Sequence, residues 1–258
     1  MRQSMRKFAL ASVAVLGAIS LSGCVIVVAD DDDFDHDFKA SFKDGYRVLD
    51  RDGDYSTIGG DLDLRGRVGG DVSLLSGDVN ADDLQVGGDV SIAAGDVDFS
   101  GAVDGEASVA AGDVVWSADT GGELSIAAGD LDVDARVGGE TSLAAGSMNI
   151  RGEFRDSFTA EAARITFDAE VFGDTTLVAG DDFRPRRRDA DYGRVELDGH
   201  FHEDLTVCAI DVDLSDSLRV EGRLEIWAEE APDQNGSMSD VVFHDRDGRD
   251  CDDLLDNA

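Results

Sequence analysis

Residues 88–104 read GDVSIAAGDVDFSGAVD, and at Gly105-Glu106 the phrase begins again. Within it Val90 and Ile92 stand two apart with a polar residue between them, as do Val97 and Phe99, while Gly88 and Gly95 stand seven apart. Apolar positions two apart describe a strand with one buried face. Glycines between such strands describe corners. Outward from this stretch, Gly70-Asp71-Val72-Ser73-Leu74 and Gly122-Glu123-Leu124-Ser125-Ile126 are copies, and the glycine pair recurs from Gly53 with Gly60 to Gly173 with Gly180. Repeat starts at 53, 70, 88, 105, 122, 139, 156 and 173 differ by 17 and once by 18, with Asp156 and Ala163 holding the glycine positions of a degenerate copy. The frame breaks after Gly180 for about 13 extra residues, resumes at Glu203-Asp204-Leu205-Thr206-Val207, and continues at Gly222, giving ten repeats.

Three short strands and three turns in 17 residues cannot bury an apolar face alone, whereas stacked copies can, each column of like residues extending a common core. The pattern predicts an all-β protein, a single-stranded parallel β-helix solenoid of about ten coils. At strand spacing these make a rod of roughly 45 to 50 Å. The right-handed form is favoured, because the left-handed hexapeptide helix needs 18 residues per coil with apolar positions every six. Ala94, Ala111, Ala128, Ala145, Ala162 and Ala179 fall in register and predict a corner that admits only a small side chain.

The N-terminus carries a different signal. Arg2, Arg6 and Lys7 precede an apolar run from Phe8 to Ile19 that is too short to span a bilayer. Leu21-Ser22-Gly23-Cys24 matches the lipobox of bacterial lipoproteins, and that resemblance implies cleavage before Cys24 and acylation of that cysteine. Several acyl chains, palmitate-like in size, would anchor the protein stably to a membrane without a transmembrane helix. Val25 follows, where an aspartate would resemble an inner-membrane retention signal, so the outer membrane is favoured. The sequence divides into a signal peptide at 1–23, an acidic linker or N-terminal cap at 24–52, the β-helix at 53–231 with a loop insertion at about 181–193, and a polar acidic tail at 232–258.

Formal net charge is −35, and removing the signal's three basic residues leaves 19 basic against 57 acidic groups, net −38. Such a surface repels nucleic acid and attracts cations. Hydrophobic content of 42% is enough for a core, which sets the chain apart from disordered acidic tails. Two cysteines remain beyond Cys24, and outside the cytoplasm Cys208 and Cys251 are expected to form a disulfide that staples the tail.

Coils written as Gly-Gly-Asp-Val, then Ala-Ala-Gly-Asp-Val, then Val before the next Gly-Gly resemble the bactofilin, or polymer-forming cytoskeletal, family over about 53–181. The resemblance implies a right-handed β-helix that associates end to end through its terminal coils, here those beginning at Gly53 and Gly222. The lipobox, the acidity and the interruption after Gly180 depart from that family. Segments 29–52 and 232–258 are placed to cover the open ends, and a capped solenoid does not polymerise.

Carboxylates recur in two registers. After the first glycine stand Asp71, Asp89, Glu106, Glu123 and Glu140, and after the second Asp61, Asp78, Asp96, Asp113 and Asp130. Stacked like charges destabilise neighbouring strands, which diffuse cations or weak calcium sites at the first register would relieve. Arg184, Arg186, Arg187 and Arg188 form a basic cluster in the insertion, suited to pairing with nearby acids or to gripping phosphate or carboxylate groups of envelope polymers or a second copy. His200 and His202 share one strand face and suit zinc, but the sequence places no third ligand. No nucleophile elbow, phosphate loop or dinucleotide fingerprint is present. These features lead to a non-enzymatic lipoprotein of the cell envelope whose rigid acidic solenoid acts as a scaffold or self-associating element. An adhesin-like surface binding module is the alternative, with a carbohydrate-active β-helix enzyme behind it.

Overall fold

The computed structural model describes residues 45–180, 192–232 and 241–255. The lipobox with Cys24 and the cluster Arg184, Arg186, Arg187 and Arg188 lie outside the described residues. Among those described, twenty strands and one short helix, Cys251–Leu255, form a parallel β-solenoid of about eleven turns. No helix among them is long and apolar enough to cross a membrane.

From Tyr55 to Val137 each coil alternates a short strand with a long one. Val72–Leu75, Val90–Ala93, Ala107–Ala110 and Leu124–Ala127 stack in parallel on one face, and Val79–Val86, Asp96–Val103, Asp113–Thr120 and Asp130–Val137 stack beside them. Register keeps like with like: Leu74, Ile92, Val109 and Ile126 are successive neighbours, all buried. The same holds for Val79, Val97, Val114 and Leu131. Aromatic residues are buried in the core, with Phe99 stacked on Trp116 at 4.6 Å and Phe158 edge-on to both Phe154 and Phe167.

The sequence pattern predicts three strands per coil; the coils from Tyr55 to Val137 show two, the longer of which bends. Thr141–Phe154 and Phe158–Val171 are each continuous, and the coil from Leu205 to Val220 shows three. At the bend Gly66, Gly101, Gly152 and Gly199 take φ between 110° and 130°, a region that side chains other than glycine rarely adopt. A Cβ at Gly101 would overlap the Leu84 carbonyl oxygen. This third corner carries glycine in some coils and Ala118, Ala135 or Ala169 in others, and so escapes a search keyed on recurring glycines. The single 18-residue spacing also resolves there. Its extra residue forms a bulge at Asp82-Asp83, where the register shifts between Ala81 and Leu84 and Asp83 takes φ 54°.

The solenoid is longer at both ends than the ten glycine-marked repeats. Gly45–Arg51, assigned from sequence to the linker, pairs with Leu62–Val68, and Val241–Asp245, assigned to the tail, pairs with Leu224–Ala228. Neither carries the glycine pair. The first follows no earlier coil among the described residues, and the second follows a coil in which Arg223 stands where most coils have an acid. The two ends differ in polarity. Arg47, in register with the buried Leu64, donates to the Tyr55 hydroxyl at 2.7 Å and closes the first rung with a charge. Phe243, in register with the buried Ile226, stays 36% exposed on the last rung.

The interruption leaves and re-enters at one point. A Cβ on Gly180 would meet Gly193 Cα at 2.5 Å, both glycines have φ 77°, and Gly193 N–H bonds to the Ala163 carbonyl at 2.7 Å. Arg194–Phe201 then pairs with Arg164–Val171 as though nothing intervened.

Candidate functional site

The acidic registers form ladders, and their N-terminal rungs are linked by defined bonds. Asp71 N–H donates to Asp54 Oδ1 at 3.0 Å, Asp89 N–H to Asp71 Oδ1 at 2.9 Å, and Glu106 N–H to Asp89 Oδ1 at 2.9 Å. In the second register Asp78, Asp96 and Asp113 donate to Asp61, Asp78 and Asp96 in turn, each at 3.2 Å. A strand leaves its backbone ladder at a corner, so an N–H there needs another acceptor. The carboxylate one coil below supplies it. In the N-terminal coils the carboxylate lies where a Cβ on the preceding glycine would be, Asp71 Oδ1 against Gly88, Asp89 Oδ1 against Gly105 and Asp61 Oδ1 against Gly77, while at Gly112, Gly122, Gly129 and Gly146 a backbone carbonyl of the coil below takes that place. In those N-terminal coils the Gly-Asp word is therefore two halves of one contact. Glu106, Glu123 and Glu140 continue the first column one coil apart, as the backbone bonds from Ala107 to Glu123 and from Leu124 to Glu140 show.

Beside the second ladder, Asp63, Asp78, Asn80, Asp96, Asp98 and Asp113 border a shallow open acidic trough. Exposed arginines offset part of the charge, Arg65 with Asp82, Arg136 with Asp119 and Arg151 with Asp132. Such exposed pairs contribute about 0 to 1 kcal/mol each.

At the other end, Cys208 and Cys251 are joined by a disulfide with Cα atoms 5.8 Å apart. Cys208 points outward from the strand Leu205–Cys208, in column with Val178 and Trp227. The helix Cys251–Leu255 lays Leu254 and Leu255 on that column. This part of the tail thus clasps the side of the solenoid.

No family model, curated protein or solved structure matches this chain. The bactofilin likeness accordingly stays a resemblance carried by its repeated words.

One cluster was not legible from the repeat. His200 and His202 project from the same outward face on either side of the buried Phe201, as the alternation of Arg194–Phe201 requires. The coil below brings Glu170 directly beside His200, and the coil above brings Glu221, whose N–H bonds to the Phe201 carbonyl at 2.8 Å. Glu170 Oε1 lies 3.0 Å from His202 Nε2 and 3.8 Å from His200 Nδ1. Glu221 Oε1 faces the opposite ring nitrogens, at 2.9 Å from His200 Nε2 and 3.5 Å from His202 Nδ1. Phe172 stacks on His202 at 4.3 Å, with the ring planes 7° apart. The missing signal is register: a 17-residue step from Glu170 lands on Arg187, and only the inserted loop moves His200 into that place.

Proposed function

We propose that this chain is a non-enzymatic lipoprotein of the bacterial cell envelope, tethered through Cys24, in which the solenoid serves as a rigid acidic scaffold. The carrying observation is the double locking of consecutive coils. Consecutive coils are held by parallel strand pairing on their faces, and in the coils from Asp54 to Asp113 also by carboxylate-to-backbone bonds at the corners. A stack locked at both places transmits force along its length and gives a stiff element of about 50 Å. The lipobox supports an anchor at the N-terminal side, and Val25 favours the outer membrane. The charge directs partners toward cations and basic surfaces and away from nucleic acid.

End-to-end association, which the bactofilin resemblance implies, gains support from the last rung, where Phe243 occupies an inward column yet stays partly exposed. On the strand Gly45–Arg51 the charged Arg47 takes an inward place in register with Leu64, and a tethered monomer is the simpler reading.

Two measurements test the proposal. Cys24→Ser should abolish lipid labelling and shift the protein from the membrane to the soluble or unprocessed fraction. Electron microscopy of the solubilised wild-type protein should show separate short rods. Normal labelling of the Cys24→Ser protein would remove the anchor, and long filaments would replace the tethered scaffold with a polymer.

A further inference from the structure

The geometry points to a binding site for a divalent transition metal ion of the zinc type at Glu170, His200 and His202, with Glu221 orienting the histidines. One donor atom from each of Glu170, His200 and His202 lies within 4.8 Å of the others. Zinc holds nitrogen and carboxylate oxygen at about 2.0 to 2.2 Å, which places tetrahedral donors roughly 3.3 Å from one another. Glu170 Oε1 and His202 Nε2 are at 3.0 Å and Glu170 Oε1 and His200 Nδ1 at 3.8 Å, so small side-chain rotations bring the three to bonding distance.

Two further observations separate this cluster from an ordinary surface ion-pair group. Metal-ligating histidines characteristically give their other ring nitrogen to a carboxylate, which fixes the tautomer and raises ligand basicity. Glu221 stands in that position, 2.9 Å from His200 Nε2, on the side of the ring away from Glu170. The His202 ring is also held in place by its stack on Phe172, so part of its ordering cost is met before any ion arrives. Two imidazoles and one carboxylate select zinc, nickel, cobalt or copper over calcium and magnesium, which prefer oxygen. A tetrahedral ion held by these three donors would take water as its fourth ligand.

The ligands come from successive coils, Glu170 from one and the two histidines from the next, with the supporting Glu221 in a third. A bound ion would therefore clamp the solenoid where the inserted loop interrupts it, and folding would be coupled to metal by mass action. The surrounding acids bind any divalent cation diffusely, and the test must subtract that.

The full-length protein, purified in detergent with millimolar magnesium present to occupy diffuse sites, is titrated with zinc by calorimetry and with cobalt(II) by visible absorption. Expected are one saturable zinc per chain, a cobalt spectrum of low coordination number, and a rise in melting temperature with zinc. His202→Ala, His200→Ala and Glu170→Gln should each weaken zinc binding at least tenfold. Glu221→Gln should weaken it about 10- to 100-fold through the histidines, and His244→Ala should leave it unchanged. All four positions face outward, and unchanged melting curves of the metal-free variants verify that they fold. Glu170→Gln, nearly isosteric, provides the decisive comparison if the histidine variants are unstable. Zinc uptake without a saturable component, or equal affinity in wild type, Glu170→Gln and His200→Ala/His202→Ala, overturns the site.

Discussion

Asp61 Oδ1 accepts the N–H of Asp78 at 3.2 Å and occupies the space that a Cβ on Gly77 would need. Nothing else stands within 3.5 Å of that Cβ position, so the pair isolates the contact on which the Gly-Asp repeat rests. Gly77→Ala should destabilise the protein by about 1 to 2 kcal/mol through displacement of the carboxylate, and Asp61→Ala by about 1 kcal/mol through the lost hydrogen bond. The double variant should cost less than the sum, because alanine at 77 then meets no carboxylate, with a coupling of about 0.5 kcal/mol or more. Denaturant melts of the four proteins measure it. Strict additivity would mean the two positions are unrelated.

The inward and outward faces of one strand should respond oppositely to the same substitution. Ile126 is 2% exposed between Val109 and Leu143 in the stack, whereas Ser125 faces outward. Ile126→Asp buries an uncompensated carboxylate and should cost several kcal/mol. Ser125→Asp should be tolerated within about 0.5 kcal/mol. Similar losses from the two would contradict the alternation.

Salt should stabilise the solenoid in a way that identifies how its charge is compensated. Asp71, Asp89 and Glu106 succeed one another at strand spacing, about 4.8 Å, while the Debye length at low ionic strength is near 30 Å. The Asp71 and Asp89 carboxylates are already engaged by backbone N–H groups, which favours diffuse screening over discrete calcium coordination at Asp71, Asp89, Glu106, Glu123 and Glu140. Melting temperature should climb smoothly with sodium chloride, and calcium and magnesium should act alike at matched ionic strength. A saturable gain at low calcium that magnesium does not reproduce would establish calcium sites instead.

Acid should release one identifiable contribution near the interruption. Burial works to raise the pKa of Asp198, but the Gly199 N–H at 2.7 Å and the hydroxyls of Ser217 and Ser215 favour the charged form and leave it below the usual 3.8. A carboxyl depressed in the folded state stabilises fully above its unfolded pKa and loses that stabilisation as pH falls through the folded value. Wild type should therefore lose more stability than Asp198→Asn below about pH 4. Parallel acid unfolding curves for the two would show that Asp198 contributes nothing to the transition.

The sequence alone determined the coil, its length and its facing. Residues 17 apart become strand neighbours wherever the chain keeps one period, so Leu74, Ile92, Val109 and Ile126 could be placed in one column without coordinates. The same logic put Asp71, Asp89 and Glu106 in a ladder, though it presented them as repelling charges. Only the tertiary structure showed that Asp71 and Asp89 serve the next coil's backbone, because a hydrogen bond at a corner depends on where the chain turns, not on its period. Contacts that break the period were decided by the fold as well. The third corner hides behind a mixture of glycine and alanine, and the strands Gly45–Arg51 and Val241–Asp245 continue the stack without the glycine pair that marks the repeat. The loop insertion carries His200 and His202 beside Glu170 and Glu221, a meeting fixed by where the chain re-enters the stack after the 13 extra residues, which no spacing in the sequence records.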